Sequence, residues 1–319
     1  MQIADLLKGR SIVVIGGTGS FGRTIVPELL KYQAKEVIVF SRDEEKQLDM
    51  QRAISDPRLR FVIGDVRDLD RVSECIKSDY VYHAAALKIM PTCEQFPLET
   101  LKTNIQGTLN VKEACAKNGV EKAIFVSTDK AVKPVNTYGM TKALAEKIWL
   151  DPKPSSKTLF SVVRYGNVLG SRGSVVPYFR DLIAQRRPLP ITDPKMSRFL
   201  LTLRQAIELV FYASANMHGG EIFIPKNPAC MVLDLVEALA GKNYPVENVG
   251  IRPGEKTVEV LLNEEETRRT EERETCFVVH PHGGYHGNMK EEFTSLNARQ
   301  LEVQETRQLL KEAGIQCSS

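Results

Sequence analysis

The sequence predicts an α/β protein: a doubly wound parallel sheet followed by a smaller C-terminal subdomain. Apolar strand runs alternate with helical segments over the first half, and the first strand empties into a glycine-rich turn. Strands are expected near residues 11–15, 36–40, 59–63, 79–84, 122–127 and 160–165. That rhythm covers a parallel sheet with helices on both faces. From Gly170 the elements shorten, with prolines at 177, 188, 190 and 194, helices near 204–216 and 231–240, and a short strand at 221–224 between them. Residues 263–289 read as a polar, irregular tail, and a last helical stretch runs from 297 to 313. The expected division is residues 1–175 and residues 176–319, with chain crossovers between the two.

The first strand runs into Gly16-Gly17-Thr18-Gly19-Ser20-Phe21-Gly22, and a helix is expected from near Arg23. Glycines at this spacing allow a tight turn and close backbone approach to a pyrophosphate, and the helix start supplies free N–H groups. The fold is therefore Rossmann-like, with Gly16, Thr18, Gly19, Ser20, Phe21 and Gly22 as candidate dinucleotide contacts. After the second strand come Ser41-Arg42-Asp43-Glu44. A hydroxyl and a guanidinium suit a 2′-phosphate, so NADP is expected; Asp43 leaves NAD as the alternative. The third strand ends in Gly64-Asp65-Val66, where Asp65 can accept the adenine amino group or cap a helix before Asp68. His83 precedes Ala84-Ala85-Ala86, small residues that let the backbone approach a cofactor, and His83 itself reads as packing.

The fifth strand delivers Ser127-Thr128 into Asp129-Lys130, followed by Tyr138 and Lys142. Residues at the end of a parallel strand face a cleft. Tyr138 and Lys142, four apart on a helix expected over Met140–Trp149, share one face. An acid, an amine and a Tyr-x-x-x-Lys pair are enough for proton transfer and hydride chemistry.

Composition excludes several classes. The chain has 319 residues, 42% hydrophobic and 26% charged, with a formal net charge of +3. That charge is too small to imply nucleic acid or a membrane surface. The six cysteines, at 75, 93, 115, 230, 276 and 317, form no Cys-x-x-Cys pair and suit a reducing cytoplasm. The N-terminus lacks a signal-peptide layout, and no apolar run reaches the roughly 20 residues of a membrane helix. His280, His282 and His286 have ligand-like spacing without a carboxylate or cysteine in register, so a loop is expected and no metal. Glu264-Glu265-Glu266 and Glu271-Glu272 read as solvated faces.

Taken together, the glycine turn, Ser41-Arg42-Asp43-Glu44, His83-Ala84-Ala85-Ala86-Leu87-Lys88, Thr103-Asn104-x-x-Gly107, Ser127-Thr128-Asp129-Lys130, Tyr138-x-x-x-Lys142, Arg164-Tyr165-Gly166-Asn167, Ser171-Arg172-Gly173-Ser174 and Arg252-Pro253-Gly254-Glu255-Lys256 resemble the UDP-N-acetylglucosamine 4,6-dehydratases, which are extended short-chain dehydrogenase/reductases. The resemblance spans residues 10 to 262 and continues weakly to Leu310. Relatives acting on hexoses without the N-acetyl group carry Asp-Glu where this chain has Asp129-Lys130, and 4-epimerases carry neither acid nor amine. The retained Tyr138 is similar to the short forms that invert C5.

The resemblance implies tightly bound NADP, regenerated each turnover, and UDP-GlcNAc as substrate. It adds Asp65, Val66, Ala84, Ala85, Ala86, Lys88 and Asn104 to the cofactor contacts. It places Lys88, Tyr165, Asn167, Arg172, Val176, Arg198, Arg252 and Glu255 along the nucleotide sugar, the last four in the C-terminal substrate-binding subdomain. Tyr138, its pKa lowered by Lys142 and the nicotinamide, would take the C4 hydroxyl proton while Thr128 holds the C4 oxygen. A neutral Lys130 would remove the C5 proton and a protonated Asp129 would release the C6 hydroxyl as water. A cytoplasmic homo-oligomer, dimer or hexamer, is expected. Release at the 5,6-ene, a UDP-sugar 4-epimerase or reductase, and a non-catalytic NADP sensor are the alternatives.

Overall fold

The computed structural model describes residues 3–152, 155–283, 285–287 and 289–317. The six expected strands form within one residue of their predicted bounds: β1 (Ser11–Ile15), β2 (Glu36–Ser41), β3 (Leu59–Ile63), β4 (Tyr80–His83), β5 (Lys122–Thr128) and β6 (Leu159–Tyr165). Next come β7 (Asn167–Val168), β8 (Leu189–Ile191), β9 (Ser197–Leu201), β10 (Ile222–Pro225), β11 (Ala229–Met231), β12 (Val246–Asn248) and β13 (Val260–Leu262). The last are β14 (Thr270–Glu272), β15 (Cys276–Val279) and β16 (Phe293–Thr294). The main sheet has nine strands in the order β14, β15, β10, β6, β5, β4, β1, β2, β3. Its pairs are parallel except β15 with β10 and β14 with β15. The order reverses between β1 and β4, where Ile15 pairs with His83. In open α/β sheets that reversal opens a crevice beyond the carboxyl ends of the strands.

Alternation along each strand divides the core between two faces. Ile12 and Val14 of β1 face α1 (Ile3–Leu7), α2 (Ser20–Lys31), α3 (Glu44–Ala53) and α10 (Leu203–Asn216). Val13 and Ile15 face α4 (Leu69–Cys75), α7 (Gly107–Lys117) and α8 (Thr137–Leu150), with Trp149 at the centre. Two short helices, α5 (Met90–Gln95) and α6 (Pro97–Leu101), precede α7. A separate apolar cluster joins α9 (Val175–Ala184), α11 (Val232–Ala240) and α13 (Val303–Glu312). Burying the apolar faces in these clusters is the main stabilising contribution, at roughly 25 cal/mol per Å².

Five local expectations are corrected. Helix α2 starts at Ser20, before Arg23, with Gly19 as its N-cap. Helix α8 starts at Thr137, before Met140, because Asn136 caps it by accepting from Gly139 N at 2.7 Å. The last helix is shorter than expected, Val303–Glu312. The stretch from 263 to 289 is not irregular throughout: it holds α12 (Glu264–Thr267), β14 and β15. Cys276-Phe277-Val278-Val279 is an apolar run, wholly buried, that extends the main sheet. Glu266 is likewise not solvated. It lies buried against Arg164, which also pairs with Glu146 at 2.6 Å.

Candidate active site

The glycine turn forms as its spacing requires. Gly16 has φ +78°, and a Cβ there would stand 2.7 Å from Ala85 N, so the turn rests directly on the Ala84–Ala86 loop. A Cβ on Gly22 would meet Gly17 O at 2.0 Å, which is why the first turn of α2 can close on the loop. Thr18 Oγ1 donates to Ser41 Oγ at 2.9 Å, joining the turn to the end of β2. Beyond it Arg42 stands exposed, 3.7 Å from Asp65. Asp43 is the N-cap of α3, accepting from Lys46 N at 3.0 Å. Asp65 accepts from Arg67 N and its guanidinium, while the N-cap of α4 is Asp68 itself. Asn104, in a π-helical turn, clamps the loop after β4 through Leu87 N and Leu87 O. Val66 packs within reach of any side chain at Gly107. The glycine cradle, the exposed Arg42 guanidinium and the small alanine loop fit a dinucleotide.

At the end of β5 the chain turns through Asp129–Ala131 as a single 3-10 turn. Thr128 Oγ1 donates to Asp129 Oδ1 at 2.8 Å and accepts from Lys130 N at 3.3 Å. Lys130 Nζ donates to the same Oδ1 at 3.0 Å and lies 3.3 Å from Glu259 Oε1. Gly139 is demanded here, since a Cβ would stand 2.2 Å from Lys130 O. Helix α8 thereby brings Tyr138 against the turn. Burial raises the Asp129 carboxyl above its ordinary value, with Glu259 adding to the rise and Lys130 opposing it. For Lys130, desolvation alone would lower the pKa, but Asp129 and Glu259 outweigh it and hold the amine as ammonium. The sequence reading expected Lys130 neutral as it takes a proton and did not foresee Glu259, whose charge beside the amine favours the ammonium.

The Tyr-x-x-x-Lys pair also departs from expectation. Burial pushes Tyr138 up to about 12, offset in part by the Lys130 charge and the Thr128 hydroxyl. Lys142 does not lower it here: its Nζ donates to Val126 O at 2.7 Å and sits 3.5 Å over the Phe125 ring. Desolvation brings Lys142 down to about 7. Lys88, across the cleft, is held below the ordinary lysine value by desolvation and by repulsion from Lys130.

The residues expected along the nucleotide sugar are spread over three settings. Asn167 Oδ1 and Glu255 Oε2 are buried with no protein partner, as is Asp129 Oδ2; buried polar atoms of this kind call for a ligand. Arg252 pairs with Glu255 and stays exposed. Arg198 is committed inward, donating to Ser197 O at 2.7 Å and Lys256 O at 2.9 Å. Tyr165 and Val176 are buried in apolar clusters. Arg172 N donates to Ser20 Oγ at 3.2 Å, bringing its loop to the glycine turn.

Two residues escaped the sequence reading. Glu259 carries no motif. Asn136, two residues before Tyr138, had no role, and it donates to Gly254 O at 2.7 Å. His83 is buried between the Phe125 and Trp149 rings, as packing requires. In the histidine loop, His280 Nε2 lies 2.9 Å from Glu271. Among the described residues, no helix is long and apolar enough to cross a membrane.

A profile of the polysaccharide biosynthesis protein family matches residues 12–281. The chain is 45% identical over 282 residues to a UDP-N-acetylglucosamine 4,6-dehydratase (inverting) of Campylobacter jejuni subsp. jejuni, covering 86% of this chain and 84% of that one. It is 41% identical over 324 residues to a UDP-glucose 4-epimerase of Rickettsia bellii, covering 94% of this chain and 95% of that one. Among solved structures, Pen from Bacillus thuringiensis matches with a TM-score of 0.91 at 36% identity, over 97% of this chain and 98% of that chain. With its parallel sheet and the residues gathered at the strand ends, the chain belongs to the polysaccharide biosynthesis protein family, among the extended short-chain dehydrogenase/reductases.

Proposed function

We propose that the protein is a hydro-lyase, a UDP-N-acetylglucosamine 4,6-dehydratase that inverts C5 and uses NADP. The observation that carries this reading is the Asp129–Lys130 pair, 3.0 Å apart at the end of β5 and beside Tyr138. A strand end that offers one carboxyl and one amine to the same substrate can remove a proton and release a hydroxyl in one place. An epimerase uses only the Tyr138–Lys142 half of that equipment. Some relatives carry the epimerase name, so the second reading stays in view.

A bound NADP would accept hydride from C4 and return it to C6, so no net oxidation occurs. Gly16, Thr18, Gly19, Ser20, Phe21 and Gly22 would hold its pyrophosphate, Arg42 and Ser41 its 2′-phosphate, with Asp65, Val66, Ala84, Ala85, Ala86, Lys88 and Asn104 lining the remainder. Tyr138 takes the C4 hydroxyl proton, and Lys142, once turned from Val126 O, stabilises the phenolate. Thr128 orients the C4 oxygen. The C4 ketone acidifies C5–H, which Lys130 removes, and Asp129 protonates the departing C6 hydroxyl. One proton moved along the 3.0 Å Lys130–Asp129 bond converts the resting ion pair into this working form. Residues 176–319 supply the UDP end, through Arg252 and Glu255, with Asn167 and Arg172 from the loop before them.

Phe96, Leu98, Leu101, Met140 and Leu144 are exposed on α5 to α8 and their junctions, and they support the homo-oligomer. The test of the function is an NMR time course with UDP-GlcNAc in deuterated water. Loss of water, deuterium at C5 and an inverted 4-keto-6-deoxy sugar are expected. Conversion to the C4 epimer with C6 intact would replace this reading with the epimerase.

A further inference from the structure

Glu259 has no counterpart among the chemistry-bearing motifs, yet it is the most constrained carboxylate near the catalytic turn. Its side chain is 2% exposed. Oε1 lies 3.3 Å from Lys130 Nζ and 3.7 Å from Arg198 Nε, and Oε2 lies 3.2 Å from Lys256 Nζ. The main chain is pinned on both sides: Glu259 N donates to Ser295 Oγ at 2.9 Å and Ser295 N donates to Glu259 O at 2.8 Å. Lys256 Nζ also donates to Val132 O at 2.9 Å, one residue beyond the catalytic turn. The carboxylate is thus fastened against the amine from a segment 129 residues away.

If a neutral Lys130 takes the C5 proton and Asp129 gives up its own, the result is an ammonium beside a carboxylate, formed between two groups that already lie 3.0 Å apart. In this step the C5–H bond breaks and the proton goes to Nζ. The electron pair left at C5 forms the C5–C6 double bond as the C6–O bond breaks and the hydroxyl leaves as water with the Asp129 proton. Glu259 touches the amine end of the pair, so it favours the ammonium. Asp129 works in the same direction, while Arg198 and Lys88 repel the charge, the Tyr138 phenol adds none, and Lys256 partly neutralises Glu259. Glu259, at 3.3 Å, acts on the amine more strongly than Arg198 does.

We propose that Glu259 is a positioning residue for the elimination step: it stabilises the Lys130 ammonium that forms when the C5 proton is taken, and that later returns a proton to C5. This rests on the reading of Lys130 as the C5 base. Glu259 touches neither Tyr138 nor Lys142, so it leaves C4 oxidation alone.

The experiment uses the full chain loaded with NADP, and UDP-GlcNAc in deuterated water across a pH series. Glu259→Gln keeps the shape and removes the charge; Glu259→Asp keeps the charge and withdraws it by one methylene. C4 oxidation, read as reduced-nicotinamide absorbance, should match the parent in both. The acid limb of C5 exchange should move down by about 1–3 pH units in Glu259→Gln, since a neighbouring opposite charge has that effect on a pKa. On the plateau above the limb, where the amine is neutral in both proteins, formation of 6-deoxy sugar should fall at least tenfold, because a weaker base abstracts more slowly. Glu259→Asp should recover part of both. An unchanged limb with an unchanged elimination rate in Glu259→Gln overturns the proposal; if that variant does not melt cooperatively, the parent limb in Glu259→Asp overturns it instead. Should Lys130→Ala retain C5 exchange, the reading of Lys130 itself falls, and this inference with it.

Discussion

Asn136 and Gly254 are joined by a 2.7 Å hydrogen bond from Asn136 Nδ2 to the Gly254 carbonyl, across 118 residues of sequence. The same side chain caps α8 through Oδ1 and Gly139 N. One amide therefore sets both the start of the helix that carries Tyr138 and the position of the Arg252–Lys256 loop. Gly254 has φ +81°, a backbone conformation open to glycine, and a Cβ there would press on Asn136 Cβ at 2.9 Å.

Asn136→Ala should cost about 0.5–2 kcal/mol as a lost N-cap. Asn136→Ser keeps a capping oxygen and loses the reach to Gly254, so it should restore most of the melting temperature. Its KM for UDP-GlcNAc should stay raised. Calorimetry and steady-state kinetics on the pair separate the two roles. A Ser variant with the parent KM would show that the Gly254 link does not shape substrate binding.

Lys142 carries a pH signature. Its folded pKa, about 7, lies below the ordinary lysine value of 10.5 because burial disfavours the charge. Between those limits the unfolded chain binds more protons than the folded one, so this residue makes stability rise with pH. Relative to Lys142→Met, the parent without cofactor should lose stability as pH falls from 10.5 toward 7, and the difference should then level off. Denaturant unfolding of both proteins across that range checks the sign. A difference independent of pH would mean that Lys142 is charged in the fold.

The cofactor preference turns on Arg42, whose partner Asp65 is also held by Arg67 and can release it. Arg42→Ala should weaken NADP roughly tenfold to a hundredfold, the usual worth of about 1.5–3 kcal/mol for a charged hydrogen bond. NAD should be little affected. Equal affinity of the parent for both nucleotides would remove the basis of the assignment.

The strands and the glycine turn were legible because their signals are local. Apolar runs of fixed length end in glycines, and the steric demand at Gly16 and Gly22 is met within a few residues. The catalytic turn was legible for the same reason, since Thr128, Asp129 and Lys130 are contiguous. What stayed hidden depends on contacts across the fold. Glu266 reads as one of three surface glutamates until β6 places Arg164 beside it, 102 residues away in sequence. Cys276–Val279 reads as tail until β10 offers an open edge. Glu259 was missed because its partners Lys130 and Arg198 lie on two other segments.

The roles inside the catalytic turn separate by where each variant stalls. Tyr138→Phe should lose C4 oxidation and return UDP-GlcNAc unchanged, since phenylalanine has no oxygen to accept the C4 hydroxyl proton. Asp129→Asn and Lys130→Ala should still reduce the bound nicotinamide, seen as slow growth of its absorbance, and form little 6-deoxy sugar. Each loss should be on the order of 10² or more, the usual contribution of a positioned acid or base. Asp129→Asn removes the acid together with the charge beside Lys130, while the amide keeps an oxygen for Thr128 and Lys130 but has no proton to give the C6 hydroxyl. Lys130→Ala also leaves Glu259 buried with Arg198 and Lys256 but without one of its three cations, so its melting temperature should fall as well. C5 exchange is the deciding readout. Asp129→Asn should retain it while elimination fails, whereas Lys130→Ala should lose both; exchange that survives in Lys130→Ala would assign the C5 proton to another base.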